Sequence, residues 1–320
     1  MYMARYIIKR LLLLLPILLG VSFIVFGIMS FTPGDPATEI LGPMATKEQI
    51  AQLNEEMGMN DPFLVRYFRY VAEALTGDFG NSYRTQKPVF DEIFARFGIT
   101  FRLGVMAICV AIMIGVPIGI VSAVKQYSWI DFTSTIIAMF FAAVPQFWLA
   151  LMLVIFFSLQ LQLLPSTFTG TITPQHFILP VLTLSLGTAA SIIRLTRSNM
   201  LETIRQDYVR TARAKGASEG SIIFKHSLRN ALLPVITVIG ISFGYLMGGT
   251  VLVESIFGIP GLGSLTIASI RSKDIPQTTA CILFLAFLNV FIMLTVDLLY
   301  AYIDPRVKAR YAKGVKKRAS

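Results

Sequence analysis

Six long apolar runs constrain this chain more than anything else in it. Residues 11–29, 103–124, 132–164, 177–193 and 235–253 carry no charge at all, and residues 282–302 carry only Asp297. A helix of about 20 apolar residues crosses the hydrocarbon of a bilayer. Backbone in lipid must satisfy its own N–H and C=O groups, which favours helices over any open alternative. Over 320 residues the chain is 55% hydrophobic and 14% charged, whereas soluble domains average roughly 25% charged. The expected fold is an all-α integral membrane protein with six transmembrane helices. The net charge of +10 would also suit a nucleic-acid binder, but the apolar content would not, so no nucleic-acid partner is expected and membrane lipid is.

The positive residues give the topology. Residues 1–10 carry Arg5, Lys9 and Arg10 and no acid. The run that follows exceeds the roughly 7–15 residues of a signal-peptide core, so it is expected to be a retained first span. Residues 194–229 hold eight Lys/Arg against three Asp/Glu, residues 304–320 hold seven against one, and residues 165–176 hold no Lys or Arg. By the positive-inside rule both termini and the 194–229 segment are expected in the cytoplasm. The chain then divides into a basic end and first helix (1–30), an extracytoplasmic insert (31–98), a five-helix core (99–303) and a basic tail (304–320).

The insert has ten acids and six bases, and turn marks at Pro33-Gly34-Asp35-Pro36 and Gly77-Asp78-Phe79-Gly80. Between these marks, helical spacing predicts helices over 47–57 and 62–75, so the insert reads as a small helical subdomain. The 132–164 run is too long for one straight span, and Pro145 predicts a kinked third helix ending near Gln160. Gly240, Gly244, Gly248 and Gly249 in the fifth run permit close helix contact. Residues 254–276 read as an outer loop.

The most informative polar stretch is 199–234. It predicts a short helix around 208–215, a break at Gly216, Ser218 as N-cap with Glu219 behind it, and a second short helix with Ile222, Ile223, Leu228, Leu232 and Leu233 on one face. Pro234 is expected to mark entrance to the next span. Helix, tight turn and helix on one side of a membrane suit docking better than catalysis.

This stretch, read as YVRTARAKGAS and then KHSLRNALLP, resembles the cytoplasmic coupling loop of ABC importer permeases of the peptide/nickel branch. Gly216 fits the family's glycine, and Thr211-Ala212 lie where its Glu-Ala-Ala lies. Arg210 replaces the acid, His226 stands at the Ile position, and Leu228-Arg229 replaces Leu-Pro. The Pro-Gly-Asp-Pro after the first run, the Pro260-Gly261-Leu262-Gly263 turn and the Asp304-Pro305-Arg306 ending also resemble that branch. The resemblance implies the type I importer fold. It implies a second homologous permease, two cytoplasmic ATPases that bind ATP and magnesium, and an extracytoplasmic substrate-binding protein. It gives the coupling role to Arg210, Thr211, Ala212, Arg213, Lys215, Gly216, Ala217, Ser218 and Glu219, and an inner membrane of a prokaryote as location.

Dipeptides or oligopeptides are the expected cargo, with nickel or a metal chelate, or glutathione, as alternatives. A passive channel or a membrane enzyme are alternatives of another class. The chain itself carries no P-loop, because no Gly-Lys dipeptide occurs, and no cofactor or metal site is expected in it. His176 and His226 fall on opposite sides of the expected topology and cannot share a metal. Cys109 and Cys281 lie in apolar runs and read as buried hydrophobes. Gln146, Trp148 and Asn289 are polar or amphipathic groups at membrane depth, candidates for a translocation path or for helix–helix contact. Asp297 is expected near the inner surface, paired with a basic residue there.

Overall fold

A computed structural model describes residues 2–303 apart from 33, 43, 169, 171 and 172, with side chains from residue 12 onward save 39, 297 and 299–303. The basic tail and the Asp304-Pro305-Arg306 ending lie outside the described residues, as does the side chain of Asp297. In chain order the helices are α1 (Tyr2–Phe31), α2 (Pro36–Leu41), α3 (Lys47–Glu56), α4 (Phe63–Leu75), α5 (Val89–Val124), α6 (Trp129–Ala143), α7 (Gln146–Leu153), α8 (Gln175–Ile204), α9 (Asp207–Ala214), α10 (Glu219–Ser221), α11 (Leu228–Phe257), α12 (Leu262–Arg271) and α13 (Ile275–Ile303). Short π-helical stretches, Val154–Gln160 and Ile222–Ser227, follow α7 and α10.

Among the described residues five helical segments are long and apolar enough to cross a membrane, and α6 with α7 makes a sixth if the bent pair counts as one span. The architecture is therefore all-α, as the apolar runs require. The tightest seam joins α5 to α8. A Cβ on Gly119 would stand 2.6 Å from the Cβ of Thr196 and 2.9 Å from the carbonyl of Ile193, so only glycine lets the two backbones approach so closely. Leu103, Ala107, Leu179, Leu184, Leu246 and Val253 fill the space among α5, α8 and α11. Glycines of α11 act the same way towards α13, with Gly240 against Val296 and Gly244 against Asn289 and Met293.

The insert helices sit where their spacing placed them. Thr46 and Gln49 form a reciprocal capping box at the start of α3. The apolar face of α4 lies along the outer half of α1: Tyr67 touches Phe23 and Phe26 edge-on, and its hydroxyl donates to the Leu19 carbonyl at 3.1 Å and meets Ser22 Oγ at 3.0 Å. So α4 is anchored on a transmembrane helix.

Three expectations change. The 132–164 run is not a kinked helix. Its two halves meet at 104°, because Pro145 has no N–H to donate and holds Val144 in an extended conformation (ψ 126°). The second coupling helix is not separate: helix runs on from Glu219 to Phe257, with Pro234 inside it. That proline lies only two turns into α11, and its missing N–H frees the carbonyl of Asn230, an exposed residue that water can reach. The 254–276 segment is not all loop, since it holds α12.

Candidate functional site

At the end of the bundle away from the insert, α8 runs to Ile204 and α9 turns back beneath it. Val209 is fully buried and hangs α9 from the bundle, and Ile222 does the same for the next helix. Between these anchors Arg210, Thr211, Arg213, Lys215, Gly216, Ser218 and Glu219 are exposed, while Ala212 and Ala217 are half-buried. The turn is closed as the sequence suggests. Lys215 caps α9, Gly216 takes φ +82°, and the Ala217 N–H reaches back to the Ala212 carbonyl at 3.2 Å. Ser218 then accepts from the Ser221 N–H at 3.4 Å and opens the next helix. Arg213 braces the knuckle across its exposed surface, its guanidinium donating twice to Glu219 at 2.7 and 3.1 Å. That carboxylate raises the guanidinium's pKa still further. A Cβ on Gly216 would meet nothing within 4 Å. The glycine is required here by its backbone angle, and the space above it stays open.

A second feature lies inside the membrane region. Around the α6–α7 break, a cavity of about 370 Å³ is lined by polar groups from three helices: Gln146 of α7, Thr188, Ser191 and Arg194 of α8, and Ser242 and Tyr245 of α11. Interrupted backbone at membrane depth is tolerated only where it is buried in protein or lines a water-filled cavity. Arg194, at the knuckle end of the fourth apolar run, is exposed and places a cation at the edge of this cavity. The three path candidates are placed differently. Gln146 lines this cavity. Trp148 points away and is half exposed. Asn289 faces another side of α11, donating to the Gly244 carbonyl at 3.0 Å and so tying α13 to α11.

Two buried carboxylates were not legible as sites. Asp131, 4% exposed, accepts two bonds from Arg197 of α8 at 2.6 and 2.8 Å, one from Ser122 of α5 at 2.5 Å and one from the Tyr127 N–H at 3.0 Å. It ties together three helix ends next to the knuckle. Glu254, fully buried at the other end of α11, accepts from Thr100 Oγ1 at 2.6 Å and from the Ser264 N–H at 3.1 Å. A Cβ on Gly261 would fall inside that carboxylate, which explains the glycine of the Pro-Gly-Leu-Gly turn. Both acids stand at ends of apolar runs, where a sequence reading takes them for loop residues. His176 bonds Thr173 in the loop before α8, and His226 lies near the knuckle, so the two histidines are at opposite ends of the bundle.

Two family descriptions match the chain. Residues 115–309 match "Binding-protein-dependent transport system inner membrane component", and residues 3–104 match the N-terminal part of such membrane components. A dipeptide transport system permease protein, DppB, of Alkalihalophilus pseudofirmus is 43% identical over 332 residues, covering 96% of this chain and 100% of that protein. A glutathione transport system permease protein, GsiC, of Escherichia coli K12 is 41% identical over 306 residues, covering 96% and 99%. Among solved structures, an inward-facing MetNI methionine ABC transporter matches at TM-score 0.57 and 18% identity, over 66% of this chain and 96% of that one. An amino acid ABC transporter with histidines matches at TM-score 0.52 and 15% identity, over 68% and 94%. These two likenesses bear on the fold.

Proposed function

The chain belongs to the family of binding-protein-dependent transport system inner membrane components, and from that premise we propose that it walls the passage through which an importer moves di- or oligopeptides. It is a permease subunit of an ABC importer, a multi-pass inner-membrane protein. The ATPase of such an importer is a separate subunit, so this chain is a transport component and not an enzyme. Its finer assembly is a second, homologous permease, two cytoplasmic ATPases holding ATP and magnesium, and an extracytoplasmic binding protein. Identity of 43% over the whole of a dipeptide permease supports the peptide cargo. The glutathione permeases at 40% and 41% support glutathione, itself a tripeptide, as a second reading.

The observation that carries the mechanism is the exposed knuckle at Gly216 and its rigid continuation. From Glu219 one helix runs to Phe257, and Ser242 on it lines the cavity roughly 35 Å away at about 1.5 Å per residue. A push on the knuckle is thus delivered to the cavity wall without passing through a loop. ATP binds the closed ATPase pair more tightly, and that difference in affinity biases the permease between inward and outward forms.

The test is Gly216→Leu in the reconstituted importer with its ATPases and binding protein. The side chain adds bulk where a partner's groove must close, and it strains a φ of +82°. The expected result is normal membrane insertion, with peptide uptake and binding-protein-stimulated ATP hydrolysis down by at least about tenfold, roughly 1.4 kcal/mol of docking energy. Wild-type stimulation in that variant would end the coupling reading.

A further inference from the structure

On the insert side of the bundle, α2, the loop before α5, the end of α11 and α12 line an open cleft of about 530 Å³, whose polar lining is Tyr83, Arg84, Ser255, Ser264, Arg271 and Ser272, with both arginines exposed. Its charge runs against its surroundings. The insert holds ten acids and six bases, yet among the described residues no acid lines this cavity and two arginines do. Among the described residues neither guanidinium has an ion-pair partner. Burial pushes the Tyr83 hydroxyl up to about 12, so it stays a neutral donor.

The walls are fixed by the two acids nearest to them. Asp274, 1% exposed, accepts from Ser82 Oγ at 2.5 Å, from the Gln277 N–H at 3.1 Å and from the Arg84 N–H at 3.3 Å, which pins the Arg84 loop to the start of α13. Glu254 accepts from the Ser264 N–H and pins the start of α12. One bond from each carboxylate reaches the backbone of a lining residue, Arg84 or Ser264, and neither carboxylate bonds a guanidinium of the cavity. A backbone held on both sides, two arginines without an ion pair among the described residues and a volume in the range of small-molecule sites (about 300–1,000 Å³) suit the cleft to an anion. Guanidinium is the side chain that grips a carboxylate through two parallel bonds.

We propose that Arg84 and Arg271 form a receiving site that holds the free carboxylate of the cargo peptide on the outer face of the permease, between release from the binding protein and passage into the bundle. The inference rests on the peptide reading above. It is a station distinct from the intramembrane cavity, since the two share no lining residue.

The experiment uses the whole importer in proteoliposomes, wild type and Arg84→Gln/Arg271→Gln, with dialanine and its C-terminal amide as probes. Phenylglyoxal labelling of Arg84 and Arg271 in the wild type is expected to fall severalfold with dialanine and not with the amide. In the variant, the KM for dialanine uptake is expected to rise about tenfold, the loss of one charge-assisted pair, with binding-protein affinity unchanged. Equal protection by acid and amide, or none, overturns the site. Weakened binding-protein affinity with unchanged KM overturns it too, and assigns the arginines to acidic groups on that protein. If the wild type takes up no peptide, the peptide reading fails on its own, and the labelling still decides whether the pocket holds a carboxylate.

Discussion

At the scale of single residues, most of the specific chemistry in this chain is structural. Asp131 is the clearest case: a buried carboxylate whose oxygens are satisfied by Arg197, Ser122 and the Tyr127 N–H. Removing one partner of such a pair leaves a charge stranded in a poor solvent. Asp131→Asn is expected to destabilise the chain by ~3 kcal/mol, seen as an earlier thermal transition in detergent, while Arg197→Lys, which keeps the charge but loses the two-pronged grip, costs less. Equal melting of wild type and Asp131→Asn would show that the cluster contributes little. Gly216 was legible from sequence because the need for a positive φ at the end of a helix is a local property of the chain. Asp131 and Glu254 were not, because nothing local says that a run-end acid turns inward.

At the scale of elements, the break between α6 and α7 decides the shape of the bundle. Pro145 located it, but a proline in a long apolar run allows anything from a slight kink to a sharp corner. The proline opens the corner, and packing of α7 against α8 and α11 holds it at 104°. Pro145→Ala restores a backbone donor and lifts the restriction on Val144. The expected outcome is a partly straightened segment with Gln146 withdrawn from the cavity, and uptake reduced severalfold while ATP hydrolysis persists. Unchanged uptake would mean that the corner is held by tertiary contacts alone. The spacing of α4 showed an apolar face but not its target. That face lies on α1, where Tyr67 reaches the Leu19 carbonyl.

At the scale of the whole molecule, the chain presents its knuckle at one end and its insert at the other. Apolar side chains such as Phe132, Ile136 and Phe140 on α6 are exposed along its sides, as suits a protein with lipid and a second permease around it. The orientation we propose rests on charge, since basic segments tend to stay inside. Cysteines placed at Lys215 and Thr85, both exposed, are expected to react with an impermeant maleimide on opposite sides, Thr85→Cys in intact cells and Lys215→Cys only after the membrane is opened. Labelling of Lys215→Cys in intact cells would invert the topology and with it the coupling role.

The sequence by itself determined the membrane class, the helical runs, the helices of the insert and the turn at Gly216. Each of these depends on hydropathy, spacing or backbone angles within a few residues. Only the tertiary structure decided that the coupling segment and the fifth span are one helix, that Gln146 faces a cavity while Asn289 joins two helices, and that Arg84 meets Arg271 across a pocket. Those outcomes depend on which faces of distant helices come together, and apolar runs of near-uniform hydropathy do not encode that in any local pattern.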